Sequence, residues 1–230
     1  MPLSLIVAAI LPSLVLTGYI LFKDREHPEP AGYLFKAFAF GMLSTGFSLC
    51  FSVPLMQLGA YSAEPAGVWG HMRVALFGAA LPEELAKLIL LALLLRRNPH
   101  FDEYFDGIVY AVCIGMGFAF VENIGYLLQA GDYWMNAGMM RGIISVPGHY
   151  AFAVLMGYFY SLSAFSPAKR GLYRVLALLA PVLAHMAFDW VLMVAGDAGE
   201  GLSGLLSIVF LLGFIRLQKL AQKGIARHLA

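Results

Sequence analysis

The sequence is poor in charged residues, which make up 13% of its 230 residues, about half of the share that is usual in soluble domains. Apolar residues make up 60%, which excludes both an ordinary water-soluble globule and a disordered chain. The formal net charge is only +1, so the chain lacks the basic field with which a protein attracts nucleic acid. The composition therefore indicates a protein that crosses a membrane several times.

Cysteine is also scarce. The two cysteines, Cys50 and Cys113, lie in apolar runs, and neither has a second cysteine or a histidine at the spacing of a metal site. We therefore expect both residues to be buried thiols and do not expect a disulfide framework.

Seven apolar stretches are long enough to form transmembrane helices, which need about 20 mainly apolar residues. The stretches are continuous rather than alternating, which predicts an all-α bundle and not a membrane barrel. No basic residue precedes the first stretch and Pro12 interrupts it, so a cleaved signal peptide is not expected. The predicted spans are 3–22, 34–58, 73–95, 107–129, 139–165, 175–196 and 201–216.

Basic residues are concentrated on one side of these spans, which predicts an N-terminus outside and a C-terminus in the cytoplasm. The opposite side has only Arg73 and Arg141, at its edges. No linker or repeat divides the chain, so we expect one membrane domain over 1–230 with its motif-bearing core at about 73–196. The inner basic residues are Lys23, Arg25, Arg96, Arg97, Lys169, Arg170, Arg174, Arg216, Lys219, Lys223 and Arg227.

Four consecutive spans carry ionisable residues at bilayer depth, where such groups are costly and face the bundle interior or a cavity. Counted at 1.5 Å per residue, they lie roughly 10–17 Å below the outer boundary. Each could be a local structural contact, but a shared depth predicts one functional site near the outer face. The set comprises Glu83, Glu84, Lys87, Glu122 with its neighbour Asn123, His149, His185 and Asp189.

Helix-breaking and small residues accompany this layer. Pro82, Pro147 and Pro181 lie just before three of the polar patches, and prolines that kink helices in membranes are tolerated where the helices line a cavity. Gly115 and Gly117 precede Glu122 and predict a close approach of two helices there.

Glutamates and histidines in one buried layer suit the activation of water. Two histidines and a carboxylate can hold zinc while a further glutamate acts as base. Neither a serine triad nor a helical H-E-x-x-H motif is evident. The residues alone therefore predict a membrane-embedded hydrolase, with a metal as one option. A proton- or ion-coupled transporter is the alternative, although the inner halves of the spans are almost wholly apolar. An inactive relative that binds membrane proteins is a third hypothesis.

Four motifs in order resemble the PrsW family of intramembrane proteases. They are E-E-x-x-K at Glu83–Lys87, F-x-x-x-E-N at Phe118–Asn123, His149 in the next span, and H-x-x-x-D at His185–Asp189. The CAAX prenyl proteases are distant relatives of that family. This chain departs from their pattern at Lys87, Glu122 and Asp189, and these departures favour the PrsW branch.

The resemblance implies an endopeptidase of a bacterial inner membrane. Its substrate would be a single-pass membrane protein such as an anti-sigma factor, cut first near the outer face, with no role for nucleic acid. Glu83 would activate water, and Lys87 would pair with Glu83 or Glu84 and keep the carboxylate ionised. Glu84 would be a supporting partner or a metal ligand.

A zinc ion is the cofactor that the resemblance favours. The expected ligands are His149, His185 and, as the third, Glu122. Asp189 would orient His185 or complete the set, with Asn123 in support. Without a metal, either histidine would become a hydrogen-bond donor to the oxyanion.

Overall fold

Nine α-helices make up most of the computed structural model, which describes residues 3–198 and 200–228. No strand occurs within these ranges, which confirms the all-α class. Two π-helical segments, Val74–Ala80 and Arg141–Ser145, join α3 to α4 and α6 to α7, and the 3-10 turns Gly131–Tyr133 and Pro167–Lys169 lead into α6 and α8. The α-helices are α1 Leu3–Lys23, α2 Ala31–Gln57, α3 Gly67–Arg73, α4 Leu81–Leu95, α5 Asp106–Gln129, α6 Trp134–Met140, α7 Val146–Phe165, α8 Arg170–Asp197 and α9 Glu200–His228.

The described ranges contain six helical segments long and apolar enough to cross a membrane, so the chain is a multi-pass membrane protein. They coincide with six of the seven predicted spans. The remaining span, predicted at 73–95, is helical from Gly67 to Leu95 but carries three ionisable residues in little more than one turn. The six segments are Ser4–Lys23, Ala31–Gln57, Asp106–Gln129, Gly131–Phe165, Pro167–Asp197 and Gly204–His228.

Helix α5 is the centre of the bundle. It packs against α1, α2, α4 and α7, and every residue from Asp106 to Ala119 is buried. A helix enclosed on all sides must be apolar all round, and this part of α5 has almost no charged residue. Its C-terminal end, beyond Ala119, carries the polar residues Glu122 and Asn123 toward the site.

Glycines bring the backbones of α5 and its neighbours together, as the sequence predicts. A Cβ added at Gly117 would collide with the carbonyl of Phe38 in α2, and one at Gly115 would collide with the side chain of Ala153 in α7. The predicted close approach at Gly115 and Gly117 is therefore confirmed.

The two π-helical segments end next to prolines. Val74–Ala80 precedes Pro82, and Arg141–Ser145 precedes Pro147. A proline ring clashes with the carbonyl four residues back and cannot donate to it. A locally wider helix relieves that clash, and such π segments are frequent at functional sites. At Pro181, by contrast, α8 continues as an α-helix.

The two cysteines have different surroundings. Cys113 is buried in α5, but Cys50 is exposed on α2, so the prediction of two buried thiols is wrong for Cys50. An apolar run does not distinguish a side chain facing the protein core from one facing lipid, because both surroundings are apolar.

Candidate active site

All eight predicted site residues lie around one region between α4, α5, α7 and α8. The π segment Val74–Ala80 leads directly into the first turn of α4, which carries Glu83 and Glu84. The other π segment leads into the first turn of α7, which carries His149. Two of the four motifs thus lie directly after a π-helical segment.

Lys87 is the central cation of this region. Its Nζ lies 2.8 Å from Glu84 Oε1 and 3.6 Å from Glu83 Oε2. The same Nζ lies 3.4 Å from His149 Nδ1 and 3.9 Å from the centroid of the Phe118 ring. The pairing of Lys87 with both glutamates follows from their i,i+4 and i,i+3 spacing on one helix face.

His185 ties α8 to α4. Its Nδ1 lies 2.9 Å from Glu84 Oε1 and its Nε2 lies 3.3 Å from Asp189 Oδ2, so Asp189 is placed to orient the ring. The imidazole stacks on Phe152 with centroids 4.7 Å apart. Glu83 Oε2 is 4.0 Å from His185 Nε2, which is beyond hydrogen-bond distance.

His149 makes its closest polar contact with Glu122. Its Nε2 lies 2.9 Å from Glu122 Oε2, while its Nδ1 faces Lys87. The two histidine rings are nearly perpendicular, with centroids 5.3 Å apart. The two imidazoles therefore lie next to each other in the site.

A cavity of about 310 Å³ opens beside these groups. Its polar lining includes Glu83, Glu122, His149, His185 and Asp189. Glu84 and Lys87 are not part of its wall, and the side chain of Glu84 is fully buried. The two adjacent glutamates therefore have different access to a substrate.

The sequence interpretation missed Arg141, which it placed at the membrane edge. The guanidinium instead reaches into the site, where its Nη2 donates to Glu122 Oε2 at 2.5 Å and its Nε donates to Asn123 Oδ1 at 2.6 Å. A signal was available, since Arg141 lies inside the predicted span 139–165, where a charge needs a partner.

Four residues could hold a metal ion: the ligand atoms of Glu83, Glu84, His149 and His185 all lie within 4.8 Å of one another. Glu122, expected as the third ligand, is not in this group; its Oε2 contacts Arg141 Nη2 and His149 Nε2. The structure thus brings together both predicted histidines and both adjacent glutamates.

The chemistry of this donor set fits a divalent cation. Glu83 Oε2 and Glu84 Oε2 are buried and have no hydrogen-bond partner. The carboxylates of Glu83, Glu84 and Glu122 pair with the two cations Lys87 and Arg141, and the carboxylate of Asp189 contacts His185. The carboxylates outnumber the two fixed cations, and buried charge is strongly unfavourable without a counter-charge. One divalent cation would supply it.

Comparison with known proteins gives a consistent result. The sequence profile described as PrsW family intramembrane metalloprotease matches residues 29–216, which include every site residue. Protease PrsW of Geobacillus kaustophilus is 33% identical over 190 residues, which cover 83% of this chain and 80% of the relative. Protease PrsW of Clostridioides difficile is 34% identical over 197 residues, or 84% and 81% of the two chains. Protease PrsW of Bacillus subtilis is 31% identical over 191 residues, or 82% and 83%. No solved structure matches the chain.

Proposed function

This chain belongs to the PrsW family and is a membrane-embedded protease, and from that premise we propose that it is an endopeptidase for a single-pass membrane protein. The candidate substrate is an anti-sigma factor, cut near the outer face of the membrane. The observation that carries the proposal is the cluster of Glu83, Glu84, Lys87, His149 and His185. Three of its members, Glu83, His149 and His185, line the cavity.

Glu83 is the general base in this proposal. Its carboxylate lines the cavity, and its Oε2 has no hydrogen-bond partner, so it is free to accept a proton from a water molecule there. Glu84 lies behind the cavity wall, with its Oε1 shared by Lys87 and His185. Glu84 therefore serves to hold neighbouring groups in place rather than to take the proton.

Zinc is the metal that the donor set suits best. Glu84, His149 and His185 would hold it, a set of two histidines and one carboxylate that occurs in catalytic zinc sites. When bound, zinc acts as a Lewis acid that polarises a carbonyl and lowers the pKa of a water molecule. Glu83 stays the residue that receives the proton, and Asp189 holds the ring of His185.

Aromatic side chains enclose the polar centre. Phe118 lies under the Lys87 ammonium, and Phe152 stacks on His185. These rings lower the local polarity around the charged groups, so interactions with the carboxylates and the developing oxyanion are stronger than in water. The stacking of Phe152 on His185 also fixes the imidazole ring in one orientation.

The alternative of a transporter needs polar groups that continue inward from the site. Directly inward of Lys87, α4 instead contributes the buried side chains Leu91, Leu94 and Leu95 to an apolar core. This arrangement favours the protease.

The test is cleavage in a heterologous bacterial host. The probes are single-pass anti-sigma factors carrying an epitope tag at each end, and the fragments are detected by immunoblotting. With the wild type we expect a tagged fragment of the size that a cut near the outer face of the membrane would give. With Glu83→Gln, expressed at the same level, we expect no such fragment. Glu64→Gln, which changes an exposed glutamate in the outer loop, is the matched control and should cleave normally. Cleavage that persists in Glu83→Gln would overturn the assignment of the base.

A further inference from the structure

Arg141 is the only arginine side chain that the described part of the structure places against the site carboxylates. It lies at the start of the π segment Arg141–Ser145, which continues directly into α7, and it precedes His149 of α7 by two turns. Its side chain is only 14% exposed, and its guanidinium lies 4.0 Å from the centroid of the Tyr126 ring. Arg141 also lines the cavity, and a largely enclosed cation at that position needs a reason.

The guanidinium shares an acceptor atom with His149. Arg141 Nη2 and His149 Nε2 both contact Glu122 Oε2, at 2.5 and 2.9 Å. The Glu122 carboxylate is thus held from one side by Arg141 and contacts the imidazole from the other. Because the second Arg141 nitrogen is bound to Asn123 Oδ1, the guanidinium cannot rotate away without losing both bonds.

The contact with Glu122 decides which nitrogen of His149 is available. A carboxylate accepts the proton of the nitrogen that it contacts, so Nε2 carries the hydrogen and Nδ1 is left with its lone pair. Nδ1 is the nitrogen that faces Lys87 Nζ, at 3.4 Å, and Lys87 in turn pairs with both glutamates of α4. The orientation of His149 therefore depends on where the Glu122 carboxylate is held.

We propose that Arg141 is a positioning residue, which fixes Glu122 and thereby directs His149 Nδ1 toward the metal-binding group. The proposal rests on the proposed function, because it takes His149 as a ligand. It gives Glu122 a different role from the ligand role expected from the sequence: Glu122 orients a ligand instead of being one.

A different explanation is that Arg141 only braces the helices. Asn123 Nδ2 donates to the carbonyl of Ala9 in α1 at 3.0 Å, so Arg141, Asn123 and Ala9 form a strut that links the π segment Arg141–Ser145 to α1 through α5. The two explanations are separable, because Asn123→Ala breaks the strut and leaves the contact between Arg141 and Glu122.

The test is zinc binding, measured without a substrate. Metal-free protein in detergent competes with a chromophoric chelator for zinc, and the absorption spectrum of the cobalt-loaded protein reports the ligand set. Arg141→Gln should weaken zinc binding by about tenfold or more, since the loss of a group that orients a ligand typically costs 10- to 100-fold in affinity. The cobalt spectrum should shift as well. Arg141→Lys should restore part of the affinity.

The controls isolate the route through Glu122. Arg73→Gln changes the other outer arginine, which donates to the loop carbonyls of Gly59 and Ala60, and should bind zinc as the wild type does. Asn123→Ala removes the second anchor of Arg141 and the bond to Ala9, but it leaves the contact between Arg141 and Glu122. It should therefore weaken zinc binding less than Arg141→Gln does. The double variant Arg141→Gln/Glu122→Gln should bind no more weakly than Glu122→Gln alone, because both changes act on one pathway.

Three outcomes would overturn the proposal. If Arg141→Gln binds zinc with wild-type affinity and has an unchanged cobalt spectrum, Arg141 is not a positioning residue. The proposed function would still stand in that case, provided that the wild type cleaves the substrate and Glu83→Gln does not. If Asn123→Ala loses as much zinc affinity as Arg141→Gln does, Arg141 only braces the helices. A wild type that binds no zinc removes both this proposal and the metal part of the proposed function.

Discussion

His185 Nδ1 lies 2.9 Å from Glu84 Oε1, although the two residues are 101 positions apart in the chain. The same oxygen accepts a hydrogen bond from Lys87, so one buried carboxylate joins α4 and α8 at the centre of the site. An ion pair so deeply buried is unfavourable to break from either side, because the charge left behind has no solvent.

Removal of the Lys87 charge should therefore destabilise the protein. Lys87→Met leaves Glu84, which is fully buried, with His185 as its remaining partner, and we expect a loss of about 3–5 kcal/mol in the free energy of unfolding. The double variant Lys87→Met/Glu84→Gln should recover much of this loss, since it removes both charges. Reversible denaturation in mixed micelles measures the free energy of unfolding of both variants. A Lys87→Met variant as stable as the wild type would contradict the role of the ammonium as counter-charge.

Zinc content gives a direct check on the metal. Detergent-purified wild type should carry close to one zinc per chain by elemental mass spectrometry, and the double variant His149→Ala/His185→Ala should carry almost none, since each change removes a ligand. The control is His100→Ala, in an exposed loop outside the site, which should keep its zinc. A folded wild type that stays free of zinc after the metal is supplied would rule out the zinc site.

The contact between α2 and α5 predicts a contrast between two glycines of α2. A Cβ at Gly41 would collide with the Ile114 carbonyl, whereas at Gly46 it would meet nothing within 4 Å. Gly41→Ala should lose about 1–3 kcal/mol of stability through overpacking, and Gly46→Ala should be neutral or slightly stabilising, because alanine favours the helix. Thermal unfolding followed by circular dichroism compares them. Equal midpoints for the two variants would mean that the helices are not in backbone contact.

Glu29, in the turn between α1 and α2, predicts a pH dependence of stability. Burial raises the pKa of its carboxyl from 4.5 to about 8, and the hydroxyl of Tyr110 donates to it. Between these pH values the folded protein holds a proton that the unfolded chain has released. The stabilisation from the neutral carboxyl is therefore complete below pH 4.5 and is lost as the pH rises through about 8.

Glu29→Gln imitates the protonated carboxyl and should keep that stabilisation at high pH. The difference in stability between Glu29→Gln and the wild type should grow from pH 4.5 to about 8 and then level off. Unfolding midpoints in detergent measure this difference. The pKa of Asp24 is raised by burial to about 6, so the variant keeps a smaller slope of the same sign at lower pH. Glu26→Gln, at an exposed position of the same turn, should follow the wild-type curve, and a Glu29→Gln variant that also does so would refute the prediction.

Much of this molecule follows from local sequence patterns. The apolar stretches predicted the helices because a membrane helix must satisfy its own backbone hydrogen bonds. The shared depth of Glu83, Glu122, His149 and His185 predicted one site because buried ionisable groups seek each other. Gly115 and Gly117 predicted close packing because only a residue without a side chain lets two backbones touch.

The tertiary structure decided which of these groups meet, since spacing along one helix says nothing about the rotation of its neighbours. It placed Arg141 against Glu122, set Glu84 behind Glu83, and turned Cys50 outward. Each outcome depends on how one helix faces another, and that is determined by packing between residues far apart in the chain.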